Sequence, residues 1–143
     1  MTNKVEKSDA EWQVELSPSQ FKVLRKEGTE PAGTGRLEKE KRDGVYRCAA
    51  CHADLFSSEH KYESGSGWPS FYDVYAEDHV GTKADRKLFM TRTEVHCEVC
   101  GGHLGHVFDD GPQPTGQRYC MNSAALEFSP EASDEVVPGA NDV

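Results

Sequence analysis

The sequence predicts a mainly β protein with antiparallel pairing, a short helix near its N-terminus and a metal clip made of cysteines. Three observations carry this expectation. From Val45 onward the chain breaks into short β-prone pieces separated by glycine or paired turn residues, the texture of hairpins rather than of strand-helix-strand units. Four of the five cysteines form two pairs of Cys-x-x-Cys spacing, Cys48 with Cys51 and Cys97 with Cys100. The length, 143 residues and 15.9 kDa, is that of one ordinary domain.

Taken in order, residues 1–16 are charged, with Trp12, Val14 and Leu16 as large apolar groups, and read as an extended or frayed lead-in outside the core. Ser17-Pro18-Ser19-Gln20 combines a serine N-cap, a proline at the first helical position and a glutamine three residues after the cap. A helix is therefore expected from Pro18, with Phe21, Val23 and Leu24 as its apolar face and Gly28 as its stop. Glu30 to Gly35 reads as a loop, and Leu37 to Arg42 as a solvated stretch of alternating charge before the Asp43-Gly44 turn. Val45–Arg47, Phe71–Tyr75, Lys87–Cys97, Leu104–Phe108 and Gln117–Phe128 follow as strands, with Asp109-Asp110-Gly111 in a turn-bearing loop. The core is expected over residues 17–128, and residues 129–143, rich in Pro, Glu, Ser and Asp, as a flexible tail of the same domain.

Composition narrows the function. Hydrophobic residues make up 36% of the chain and charged residues 29%, a polar but globular balance. Sixteen Lys and Arg against twenty-five Asp and Glu leave a net charge of −9, which repels phosphate backbones and anionic lipid heads. Neither nucleic acid nor a membrane is an expected partner. Met1–Lys7 carries no apolar segment, so a soluble, cytoplasmic protein is expected. Five cysteines cannot all pair internally, which favours thiol or metal chemistry in a reducing compartment.

Two Cys-x-x-Cys knuckles suit one tetrahedral Zn²⁺, and four thiolates close its shell. Such a site built from Cys48, Cys51, Cys97 and Cys100 would hold structure and leave catalysis elsewhere. With 45 residues between Cys51 and Cys97, the metal would join distant parts of one domain. The fifth cysteine, Cys120, shares a strand face with Arg118 and Asn122, a polar setting expected to favour the thiolate. Just upstream lie His103 and His106, which a regular strand would send to opposite faces. Both can serve one site only if Gly102 or Gly105 breaks the pleat. Gly65 to Phe71 is a glycine-rich loop carrying Trp68, either a core anchor or the wall of a small apolar pocket.

The ordered set Cys48-x-x-Cys51, Gly65-x-Gly67-Trp68-Pro69-Ser70-Phe71, Cys97-x-x-Cys100, His103-Leu-Gly-His106-Val-Phe108, Gly111-Pro112 and Arg118-Tyr-Cys120-x-Asn122-Ser123 resembles the B-type methionine sulfoxide reductases. The resemblance runs from about Ser17 to Phe128. It implies two antiparallel sheets forming a barrel-like single domain, short N-terminal helices and one structural Zn²⁺. It also implies reduction of the R epimer of methionine sulfoxide, in oxidised proteins or peptides and as the free amino acid, in the service of protein repair. By position, Cys120 would be the nucleophile, Trp68 the wall against the sulfoxide methyl, and His103, His106 and Asn122 the network around the sulfoxide oxygen. Phe108, Asp110 and Arg118 would support substrate binding. Thiolate attack on the sulfoxide sulfur puts negative charge on the departing oxygen, so an imidazole acid is required, and His103 is the expected one.

Many members of that family carry a resolving cysteine where this chain has Ser66. With four cysteines committed to zinc, thioredoxin, glutaredoxin or a small thiol would have to reduce oxidised Cys120 directly. Two other functions fit the residues. A cysteine hydrolase would use Cys120, a histidine and an acidic residue as nucleophile, base and orienter. A non-enzymatic zinc-knuckle module would bind a protein partner.

Overall fold

The computed structural model describes residues 5–87 and 90–143. Two short helices open the chain, α1 (Asp9–Glu15) and α2 (Pro18–Lys26). Among the described residues ten strands follow: β1 (Gly44–Cys48), β2 (Asp54–Ser57), β3 (Lys61–Tyr62), β4 (Ser70–Phe71), β5 (Val80–Lys87), β6 (Met90–Cys97), β7 (His103–Phe108), β8 (Arg118–Met121), β9 (Leu126–Pro130) and β10 (Val137–Pro138). They form two antiparallel sheets, ordered β10-β9-β1-β2 and β3-β4-β8-β7-β6-β5. Among the described residues neither sheet closes on itself, so the barrel-like arrangement is not found. No helix among them is long and apolar enough to cross a membrane.

The helix expected from Pro18 begins there. Ser17 Oγ accepts from the Gln20 N–H at 3.2 Å while Gln20 Oε1 accepts from the Ser17 N–H at 2.9 Å, a reciprocal cap that satisfies two otherwise orphaned donors. Its end differs by one residue. Glu27, not Gly28, takes the left-handed conformation (φ 56°), and the Gly28 N–H then returns to the Lys22 carbonyl at 2.9 Å.

The lead-in is not extended. Ser8 and Glu11 form a second capping box that starts α1, and Trp12 is fully buried, with the Arg25 guanidinium 5.0 Å from its ring. A single indole removed from water outweighs the polar composition around it. The tail is also tied down. Residues of β10 pair with β9, Ala140 is buried, and Ser123 Oγ donates to the Gly139 carbonyl at 2.8 Å. Gly139 passes so close to the Ser123 carbonyl that a Cβ there would sit 1.8 Å from its oxygen, which is why a glycine stands at this position.

The sheets meet through aromatic rings. Phe71 of the second sheet stacks on Phe56 at 4.5 Å and meets Tyr46 edge-on at 5.0 Å, both from the first sheet, and all three are fully buried. The stretch 117–128, expected as one strand, divides: β8 belongs to the second sheet, β9 to the first, and a 3₁₀ turn at Ser123–Ala125 carries the chain between them. Phe71–Tyr75 contributes only β4, and β5 was not anticipated because Val80–Lys87 lacks an apolar alternation.

Candidate active site

The site is built on the centre of the second sheet. Cys120 on β8 stands opposite Ser70 on β4 and opposite His106 on β7. Directly opposed residues of antiparallel strands share a face, so the thiol and the His106 imidazole project to the same side. Tyr119 and Met121 point the other way, and Met121 is fully buried in the core.

The two histidines are brought together by a break in the pleat. His96 pairs with His103 and Val95 with Gly105, so Leu104 is an extra residue on β7. The bulge resets the alternation between the two glycines, and His103 and His106 lie with ring centroids 5.4 Å apart. Gly105 has a second reason to be glycine: a Cβ there would meet the Cys120 carbonyl oxygen at 2.1 Å.

Around Cys120 lies an open cavity of about 270 Å³, lined by Thr29, Ser66, Trp68, Arg92, Gly105, His106, Phe108, Arg118, Cys120, Met121 and Asn122. Of the residues singled out from sequence, Trp68, His106, Phe108, Arg118, Cys120 and Asn122 line it. His103 does not. It is 3% exposed, its Nδ1 is 2.5 Å from Glu94 Oε2, and burial lowers its pKa in spite of that carboxylate. The expected acid is thus outside the lining, because in the β7–β8 ladder it is His106, three residues further on, that stands opposite Cys120. Asp110 is outside the lining too and binds Arg118, with Arg118 Nε and Nη2 donating to its two oxygens at 2.8 and 3.2 Å. The guanidinium, held in this way, lies 4.4 Å from the Phe108 ring centroid.

The loop before Pro31 supports the opposite wall. Trp68 Nε1 donates to the Glu30 carbonyl at 2.9 Å, and the Glu30 N–H donates to Asn122 Oδ1 at 2.9 Å. Asn122 Nδ2 donates to the Leu104 carbonyl at 3.0 Å. Both ends of the Asn122 amide are therefore engaged by backbone, and the residue ties the bulge of β7 to the loop that holds Trp68.

Cys120 does not have the lowered pKa expected from its neighbours. Burial raises it above the ordinary thiol value, and the Ser66 hydroxyl, 3.9 Å from its sulfur, and the Arg118 charge offset this only in part. Sequence reasoning passed over four residues here. Arg92 and Thr29 line the cavity, Glu94 pairs with His103, and Asp85 Oδ2 lies 2.9 Å from His106 Nε2. The alternation of Arg92, Glu94 and His96 on one face of β6 was the available signal for the first and third. Thr29 and Asp85 had none in sequence.

At the far end of β6, Cys48, Cys51, Cys97 and Cys100 place their sulfurs within 4.8 Å of one another, with Cys48–Cys100 at 3.7 Å and Cys51–Cys97 at 3.5 Å. Tetrahedral Zn²⁺ with bonds of ~2.3 Å requires sulfurs about 3.8 Å apart, so the set fits. The two knuckles are built alike. His52 N–H returns to the Cys48 carbonyl and Gly101 N–H to the Cys97 carbonyl, both at 2.8 Å, with His52 and Gly101 at positive φ.

Residues 16–130 match the SelR domain. The chain is 56% identical over 129 residues to the peptide methionine sulfoxide reductase MsrB of Methanosarcina mazei, covering 90% of this chain and 92% of that protein. It is 58% identical over 127 residues to the protein of the same name from Methanosarcina barkeri, covering 89% of each. With that from Leptospira interrogans the identity is 56% over 131 residues, 92% of this chain and all of the other.

Proposed function

The chain belongs to the SelR-domain family of peptide methionine sulfoxide reductases, and we propose that it reduces the R epimer of methionine sulfoxide in oxidised proteins and peptides, and as the free amino acid. The observation that carries this reading is the placement of Cys120 opposite His106 on one sheet face, inside a cavity walled by Trp68.

In the reaction the Cys120 thiolate attacks the sulfoxide sulfur and negative charge develops on oxygen. His106, rather than the buried His103, donates the proton that this oxygen needs. Two electrons pass from the cysteine sulfur to the sulfoxide sulfur, the oxygen ends on Cys120 as a sulfenic acid, and methionine leaves. Trp68 and Phe108 pack the substrate's methyl and stem, and Arg118, anchored by Asp110, stabilises the thiolate. Asn122 positions the two walls, and His103 backs His106.

Cys48, Cys51, Cys97 and Cys100 would hold one Zn²⁺, which supplies a structural cross-link and no open coordination position. Those four cysteines being so used, Cys120 has no internal thiol partner. An external thiol, thioredoxin, glutaredoxin or a small molecule, returns it to the reduced state. The reducing cytoplasm suits both the zinc thiolates and this cycle. The cysteine hydrolase and the non-enzymatic binding module are left without support.

The test offers both epimers of a methionine sulfoxide peptide with dithiothreitol. The R epimer should yield methionine, the S epimer should not, and Cys120→Ser should abolish turnover while leaving the fold intact. Turnover by the folded serine variant would remove Cys120 from the mechanism.

A further inference from the structure

The face of the second sheet that carries Cys120 holds an unusual density of charge. Lys83 and Asp85 come from β5, Arg92 and Glu94 from β6, His103 and His106 from β7, Arg118 and Cys120 from β8. Within it each histidine has its own carboxylate. Glu94 takes His103 Nδ1, and Lys83 Nζ lies 3.3 Å from the other Glu94 oxygen. Asp85 takes His106 Nε2 at 2.9 Å, with both side chains about nine-tenths buried. Arg92, opposite Asp85 in the β5–β6 ladder, places Nη2 3.6 Å from the same Asp85 oxygen.

We propose that Asp85 is the positioning residue of the proton donor, a role that rests on His106 being the acid. An imidazole has two nitrogens, and the partner of one determines the tautomer and aim of the other. Asp85 accepts from Nε2–H, so Nδ1 is the nitrogen that delivers the proton to the sulfoxide oxygen. After delivery the neutral ring remains the Nε2–H tautomer, still bound to Asp85. Without the carboxylate the ring is free to rotate, and the aim of its Nδ1 is no longer fixed. Arg92 holds Asp85 from the side, which keeps the carboxylate on His106 rather than swinging toward solvent. His103 does not substitute, because it is buried and does not line the Cys120 cavity.

The proposal makes a spectroscopic prediction that needs no variant. Long-range ¹H–¹⁵N correlation of the neutral His106 ring in the reduced protein should report the Nε2–H tautomer, and an Nδ1–H ring would overturn the assignment. Single-turnover release of methionine, measured without reductant, supplies the kinetic arm. His106→Asn should slow it about 100-fold and Asp85→Asn about tenfold, each with substrate affinity changed by less than about threefold. Asp85→Glu should recover part of the loss, and the double variant Asp85→Asn with His106→Asn should be no slower than His106→Asn alone. If His106→Asn keeps the wild-type rate, the acid itself has been misassigned. If His106→Asn is slow but Asp85→Asn keeps the wild-type rate, Asp85 has no positioning role.

Discussion

At the residue scale the decisive group is Cys120. Sequence neighbours suggested a thiolate favoured by Arg118 and Asn122. In the fold Asn122 is spent on backbone, Arg118 is shared with Asp110, and burial dominates. Because the pKa is raised above the ordinary thiol value of 9.0, alkylation of the substrate-free enzyme at Cys120 by iodoacetamide should keep accelerating through pH 9. Removing a neighbour that lowers the pKa moves it further up, so Arg118→Ala should slow alkylation at pH 8. A wild-type rate that levels off below pH 8 contradicts this account. The candidate nucleophile was legible from its motif, whereas its electrostatics was not, since desolvation depends on what packs above the strand.

At the element scale the bulge in β7 brings the two histidines together, and the β7–β8 register decides which of them stands opposite Cys120. The sequence carried the question, since two histidines three apart need a broken pleat, and two flanking glycines mark where the break can lie. It did not carry the answer, because a bulge is defined by the partner strand, and the β6 register puts the extra residue at Leu104. Gly105→Ala tests the close approach that follows. Its Cβ would press on the Cys120 carbonyl, and overpacking of this kind costs about 1–3 kcal/mol. The urea midpoint should fall accordingly, and the R-epimer reductase activity should fall with it as β7 and β8 are forced apart. An unchanged midpoint would mean that the strands yield there at little cost. The helix at Pro18 was readable because its capping box lies within four residues; β5 was hidden because it is a polar strand that exists only through its pairing with β6.

At the scale of the whole molecule the cysteine cluster joins the two sheets. Cys48 ends β1 of the first sheet and Cys97 ends β6 of the second, so a metal there spans the same interface that Phe71 fills from within. Freshly purified protein should contain about one zinc per chain. Chelation, or Cys97→Ser, should lower the thermal midpoint by more than about 10 °C, corresponding to a few kcal/mol, by unfastening the sheets at one edge. Protein that remains folded should still reduce the R epimer, because the cluster does not line the Cys120 cavity. A thermal midpoint unchanged by complete removal of the zinc would sink the structural role.

What the sequence by itself determined is local or covalent in kind: the cysteine pairs, the glycine-rich loop before Trp68, the capped helix, the antiparallel β texture and the motif order that signals the family. Each is a short-range pattern in which the residue type alone limits backbone or ligand chemistry. Tertiary structure alone decided that Trp12 and the tail belong to the packed body, that residues 118–121 and 126–130 serve different sheets, and that His106 faces Cys120 while His103 retires behind it. It alone brought Asp85 to His106, across strands whose contact depends on register and twist. Those outcomes come from pairing and burial between segments distant along the chain, and a side chain's partners there are set by the strand opposite rather than by its own neighbours.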